Sequence, residues 1–363
     1  VQEQEVTIME NIERIKLALA KADCKAMLIS STVNRLFATG FPSSAGMLLV
    51  TESKAWFFTD FRYIEAAKTA VSEHAEVILI TKQEPYTAKL NEAFAENGVS
   101  EAGFEDGAVT YAEYKDWSEK LTAELRPNQK FLEILRAAKS ESDLAKMKTA
   151  QRVAEKSFEE ILPIISTDIT EKQLAAELIC RMLQNGADDV SFPPIVVSAE
   201  RSSLPHGVPG DRKIEKGFLT IDFGVKLNGW CSDTTRTLCI GRPSDEMIKV
   251  YETVLHAQEA GIAAARVGIP GEDIDNAART VIEEAGFGDY FGHGFGHGIG
   301  LEVHESPRAA PGVRDIIPSG TVISAEPGIY LPGKFGVRIE DVLYITETGC
   351  ENITNLPKKL TVL

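Results

Sequence analysis

The residues most suited to chemistry fall in three short stretches of the 363-residue chain. Three of the six histidines, His293, His297 and His304, lie within a glycine-dense run from Gly292 to Glu305. Glycine is a poor helix former and lets backbone approach a site closely. The lone histidines His74 and His256 carry no such context and read as surface or structural residues. A second stretch runs from Leu219 to Thr237 and contains Asn228-Gly229, the strongest short signal for a type I′ hairpin turn. A two-residue loop there places Leu227 opposite Trp230 and Asp222 opposite Thr235. Asp222 and Asp233 are then diagonal neighbours on one face, roughly 7–8 Å apart at the backbone. A third stretch, Ser324–Tyr330 followed by Gly336–Asp341, reads as two apolar strands around a Pro/Gly-rich connection, with Glu326 nearly opposite Glu340.

Each stretch alone has an ordinary explanation. The histidine run could be a flexible loop, the aspartates a solvated strand face, and the glutamates a pair partly neutralised by Arg338. Together they supply Asp222, Asp233, His297, Glu326 and Glu340. Like charges placed opposite one another are unfavourable unless a cation lies between them. Oxygen ligands with a single imidazole suit manganese, cobalt or zinc. Bridging carboxylates would hold two such ions roughly 3.5–4 Å apart.

The elements that must position these residues occupy the second part of the chain. Helical patterns at 140–161, 170–185, 244–266 and 271–285 alternate with strand patterns at 194–198, 218–224, 229–240, 321–326 and 336–345. Ser140 and Asp143 form a capping pattern at the first of these helices. The first third reads as a smaller α/β layer. It has a helix over Asn11–Lys21, strands at Ala26–Ser30, Gly46–Val50, Ala55–Thr59 and Glu76–Ile80, and a helix over Tyr63–Val71. Arg126-Pro127-Asn128 marks a turn, so the boundary is expected between about 128 and 139, with domains at 1–130 and 138–363.

Composition narrows the function classes. The net charge is −16, with 54 acidic against 38 basic residues, which disfavours nucleic acid and anionic membrane surfaces as partners. No run of about 18 apolar residues is present. Val1–Glu10 lacks the basic and apolar regions of a secretory signal. Five scattered cysteines without a C-x-x-C pair read as reduced thiols, and a cytoplasmic location is expected.

The chain resembles the proline-peptidase branch of the metallopeptidases with the creatinase/methionine-aminopeptidase "pita-bread" fold. Leu204–Pro209, the Asp222–Asp233 hairpin, Gly296-His297-Gly298, Val303-His304-Glu305, Glu326–Tyr330 and Arg338–Asp341 carry the resemblance. Thr39-Gly40-Phe41 and Phe58–Tyr63 are similar to the family's N-terminal domain. The likeness implies an α/β fold: an N-terminal creatinase-like domain and a C-terminal catalytic domain with a curved antiparallel sheet, helices and two pseudo-symmetric halves. It implies that Asp222 binds one metal, Asp233 and Glu340 bridge two, and His297 and Glu326 share one. Manganese is the expected ion, with cobalt or zinc as alternatives. His206, His293, His304, Tyr330 and Arg338 match substrate-side residues. Glu326, His304 and His206 are the expected catalytic groups, Glu326 as proton shuttle. Creatinase itself lacks the metal centre, and methionine aminopeptidases usually lack such an N-terminal domain.

The implied activity is hydrolysis of the bond between an N-terminal residue and a following proline, that is, an Xaa-Pro aminopeptidase acting on peptides with proline second. An Xaa-Pro dipeptidase is the alternative, with Arg308 as a candidate clamp for the substrate's free carboxylate. A catalytically inert binding protein of the same fold is disfavoured by five intact ligands. A homodimer is expected on the same resemblance.

Overall fold

The computed structural model describes residues 2–363, with side chains from residue 11 onward. The reading of Val1–Glu10 as signal-free therefore lies largely outside the described side chains. The chain divides into two compact units, Val1–Arg136 and Ala137–Leu363.

The first unit is built on a six-stranded sheet. In spatial order its strands are Glu76–Leu79, Ala55–Thr59, Met47–Thr51, Ala26–Ile29, Glu101–Phe104 and Glu124–Pro127. The central three strands are antiparallel, and the outer ones join in parallel. Leu28, Trp56, Phe58 and Phe94 are fully buried in its core. The Asn11–Lys21 helical pattern continues N-terminally to give a helix over Gln2–Lys21. Helices at Thr32–Thr39, Tyr86–Glu96, Tyr111–Lys120 and Gln129–Ala137 add to those expected. The turn anticipated at Arg126-Pro127-Asn128 is instead the end of an edge strand, followed directly by a helix. A proline is tolerated there because an edge strand need not donate on both sides.

The second unit repeats one motif twice. Helices Glu141–Ile161 and Glu171–Gln184 are 21 and 14 residues long, and Asp245–Ala264 and Gly271–Glu284 are 20 and 14. The first pair shares a core with the three-stranded sheet of Ile195–Ser198, Gly217–Phe223 and Thr234–Ile240, through residues such as Phe158, Leu178, Ile221 and Phe223. The second pair covers a five-stranded sheet that includes Gly296–Gly298, Glu305–Ala309, Val322–Ala325 and Asp341–Thr346, with Phe295 and Ile323 at the centre. The hydrogen-bonded strand pairs of these sheets are antiparallel.

Two expected strands are interrupted. The 229–240 pattern becomes Trp230–Cys231 and Thr234–Ile240, and the 336–345 pattern becomes Phe335–Arg338 and Asp341–Thr346. The first interruption contains Asp233, and the second contains Glu340. In both cases the register is the same on either side. Leu227 pairs with Trp230, and Asp222 with Thr235, as the Asn-Gly turn dictates. Asn228 and Gly229 have φ of 50° and 83°, as a type I′ turn requires. Likewise Ala325 pairs with Asp341 in one sheet and Gly328 with Arg338 in another. Continuing either ladder sets Glu326 opposite Glu340.

Candidate metal centre

The hairpin that carries Asp222 and Asp233 closes tightly. A Cβ on Gly224 would lie 2.0 Å from the Ser232 carbonyl oxygen, so only glycine lets the two arms meet here. Ser191 Oγ shares its one O–H between the carbonyls of Val225 and Ser232, at 2.7 and 2.9 Å, and holds the pinch. Gly224→Ala is therefore expected to cost about 2–4 kcal/mol through backbone displacement and to weaken metal uptake. Thermal unfolding and metal titration of the purified variant check this. A wild-type unfolding profile would show that the pinch is dispensable.

His297 lies in the Gly296–Gly298 strand, and its backbone pairs with Arg308. Its Nδ1 faces the Gly298 carbonyl at 3.1 Å, which fixes that nitrogen as donor and aims Nε2 at the carboxylates. Nε2 lies 3.1 Å from Glu326 Oε1 and 3.7 Å from Asp233 Oδ2. Ligand atoms of Asp233, His297 and Glu340 lie within 4.8 Å of one another. Backbone bonds seat the two glutamates. Glu326 N–H donates to the Phe295 carbonyl at 2.8 Å, and Glu340 N–H donates to the Thr235 carbonyl at 3.1 Å.

The hydrogen bonds of Arg338 go elsewhere than to the glutamate pair, although its charge acts on both. Its Nη2 donates to Asp222 Oδ2 at 2.6 Å, Nη1 to Tyr330 Oη at 2.9 Å and Nε to Thr235 Oγ1 at 3.0 Å. Thr235 Oγ1 in turn donates to Glu340 Oε2 at 2.8 Å. Asp222 Oδ1 is buried and finds no donor among the described residues. Burial, followed by the charges of neighbouring carboxylates, holds the Asp233 and Glu340 carboxyls well above their ordinary range. Glu326 differs: burial pushes it upward too, but the hydrogen bond and charge of His297 bring it down to about 2. Several buried carboxylates sharing one guanidinium, one of them with an orphaned oxygen, are what a cation-binding cluster requires. The residues present fit a divalent metal.

The cluster opens into a cavity of about 620 Å³. Asp222, Asp233, His297, Glu326, Glu340, His206, His293, His304, Arg308 and Arg338 all line it. Tyr330, expected on the substrate side, does not. It is buried behind the wall, and its hydroxyl joins His293 Nε2 to Arg338, each at 2.9 Å. The His304 ring meets the His297 ring edge-on at 4.3 Å, while His206 and Arg308 are exposed at the rim. The apolar wall of Phe192, Pro193, Pro194 and Ile195 went unread in the sequence. Two adjacent prolines between bulky apolar residues were the available signal, since such a stretch is stiff and presents rings rather than N–H groups.

The sequence pattern of "Metallopeptidase family M24" matches residues 145–347, more than half of the chain. The chain belongs to metallopeptidase family M24. Residues 11–138 of the peptidase match the "Creatinase/Prolidase N-terminal domain". The peptidase is 41% identical over 359 residues to the uncharacterized peptidase YqhT of Bacillus subtilis, covering 97% of this chain and 99% of that one. A solved structure described as an Xaa-Pro dipeptidase from Bacillus anthracis superposes with a TM-score of 0.93 at 38% identity, covering 98% of this chain and 100% of that chain. An X-Pro aminopeptidase from Thermotoga maritima gives a TM-score of 0.89 at 34% identity, covering 96% of this chain and 100% of that chain. The peptidase has the creatinase-type N-terminal domain and pita-bread catalytic domain that the sequence resemblance implied. Among its described residues, no helix is long and apolar enough to cross a membrane.

Proposed function

We propose that this M24 peptidase hydrolyses the bond before proline at the second position of a peptide, as an Xaa-Pro aminopeptidase. The observation that carries the reading is the single cavity in which the carboxylate–imidazole cluster, three further histidines and the Phe192–Ile195 wall meet. An Xaa-Pro amide has no N–H and a fixed φ, so an apolar wall of rings suits it better than a row of backbone acceptors.

Asp222, Asp233, His297, Glu326 and Glu340 are the residues that would hold two divalent ions, with manganese the first choice and cobalt or zinc compatible. When bound, the metal supplies Lewis acidity and brings the pKa of water near neutrality. The chain's own groups do the rest. Glu326, ionised at neutral pH, accepts a proton and delivers it to the proline nitrogen as the bond breaks. His304, beside His297, offers a hydrogen bond to the developing oxyanion. Arg338 and Thr235 hold Asp222 and Glu340 so that neither swings away. His206 at the rim orients the substrate backbone.

Arg308 supports a second reading. It is an exposed cation lining the same cavity and could hold the free carboxylate of a dipeptide. Hydrolysis of Arg-Pro-Pro beside Gly-Pro, with manganese and with chelator, separates the two. Metal-dependent cleavage of the tripeptide alone is expected. Cleavage of Gly-Pro alone would make the protein a dipeptidase. No cleavage of either with metal bound would overturn both. The free state of all five cysteines is consistent with a cytoplasmic protein, and a homodimer is the assembly we assign.

A further inference from the structure

The segment Ser198–Gly210 presents Pro205, His206, Gly207, Val208 and Pro209 to the cavity, yet it has little apolar anchorage. Leu204 is 47% exposed and Val208 76% exposed, and after Ser198, which ends a strand, and a short 3₁₀ turn at Ala199–Ser203 it has no regular structure. Such a segment must be fixed by polar bonds or remain mobile. One buried carboxylate supplies four of them. Glu171, in the first turn of the Glu171–Gln184 helix, is fully buried. Its Oε1 accepts from Ser198 N–H at 2.9 Å and from Ser198 Oγ at 3.2 Å. Its Oε2 accepts from Arg201 Nε at 3.1 Å and from Gly210 N–H at 3.3 Å. Arg201 Nη2 then donates to the Val208 carbonyl at 2.6 Å. The carboxylate thus grips the first, fourth and last residues of the segment, and through Arg201 reaches the residue two after His206. On the far side Arg338 Nη1 donates to the Pro205 carbonyl at 3.1 Å, so the segment is held between Glu171 and the guanidinium that seats Asp222.

We infer that Glu171 is a positioning residue for substrate binding: with Arg201 it clamps the His206 segment in the geometry that receives the peptide. Glu171 lies in the first turn of its helix, and hydrogen bonds to a carboxylate are about twice as strong as those between neutral groups. The inference rests on the proposed peptidase reading for its kinetic consequence, but not for its structural one.

The test is Glu171→Gln, which keeps shape and loses one acceptor and the charge. Hydrogen exchange of the amides between 199 and 208, measured on the full chain, is expected to rise about tenfold with the rest of the catalytic unit unchanged. With Arg-Pro-Pro and saturating manganese, KM is expected to rise about tenfold while kcat stays within about threefold and bound metal is unchanged. Adding Arg201→Ala to Glu171→Gln should cost little more, because both act through one clamp. If Glu171→Gln does not fold, Arg201→Ala alone decides, since it leaves Glu171 on Ser198 and Gly210. Faster exchange near Val208 in that variant supports the clamp. Unchanged exchange in a folded variant overturns it. A wild type that cleaves no proline peptide defeats the activity reading, and the exchange measurement still judges the clamp.

Discussion

Glu326→Gln is expected to lower kcat for an Xaa-Pro peptide by about 10²–10⁴-fold, the range for losing a positioned proton carrier, with KM nearly unchanged. Glu326 is the most exposed of the four clustered carboxylates, its side chain being 18% exposed against 12% for Asp222, and it faces the cavity. Its Oε1 receives His297 Nε2 at 3.1 Å and Ser324 Oγ at 3.1 Å, so an amide oxygen can take the same place. What an amide cannot do is carry a proton. Steady-state kinetics with parallel metal analysis separates the outcomes. Near-normal turnover with metal retained would remove Glu326 from the proton path. Loss of turnover together with metal would leave it as a ligand only.

Asp233→Asn should invert the stability ranking of the protein with and without metal. Asp233 and Glu340 have raised pKa values in the folded chain, driven first by burial and then by each other's neighbourhood of negative charge. The folded, metal-free state therefore binds more protons than the unfolded state between the ordinary carboxylate range and the raised values. Stability from these groups is fully present below that range, at about pH 4, and is lost as pH rises through the folded-state values. The stripped protein bears this cost wherever the pH exceeds the raised values. Asparagine removes one charge and should raise the Tm of the stripped catalytic unit by roughly 2–4 °C, the equivalent of ~1 kcal/mol. With manganese present the order reverses. Wild type gains ~2.7 kcal/mol at a hundredfold excess over Kd, and the variant forfeits much of this. Thermal unfolding of four samples, across pH 5–8, measures all of it. A stripped variant less stable than stripped wild type, with no narrowing of the gap on acidification, would show that the carboxylates do not repel as described.

The candidate site was more legible than the fold around it, for a physical reason. Metal chemistry demands particular donor atoms, so Asp222, Asp233, His297, Glu326 and Glu340 announce themselves by type and spacing. The hairpin register followed from Asn228-Gly229, because a two-residue loop leaves only one pairing. The first unit hid more. Its strands Glu101–Phe104 and Glu124–Pro127 are four residues long and carry charge, glycine or proline, so neither alternates clearly. The Tyr111–Lys120 helix buries chiefly Trp117, too little to mark an apolar stripe, although its Thr110/Glu113 capping box was visible in principle. The breaks at Asp233 and Glu340 were illegible because the pairing register continues unchanged across each of them. The position of Tyr330 behind the wall was hidden for a related reason. Sequence puts a residue beside a site, but only packing decides whether it faces the substrate or stands behind the wall.

The alignment of Glu326 with Glu340 is specified twice. Val322–Ala325 and Asp341–Thr346 set it from below, and Gly328–Leu331 and Phe335–Arg338 set it from above. The two specifications belong to different sheets and share no hydrogen bond. An error in either ladder is thus opposed by the other, as a checksum opposes a single wrong digit. The exposed tip at Pro332, Gly333 and Lys334 closes only the upper ladder, so a change of length there would still be opposed by the lower one.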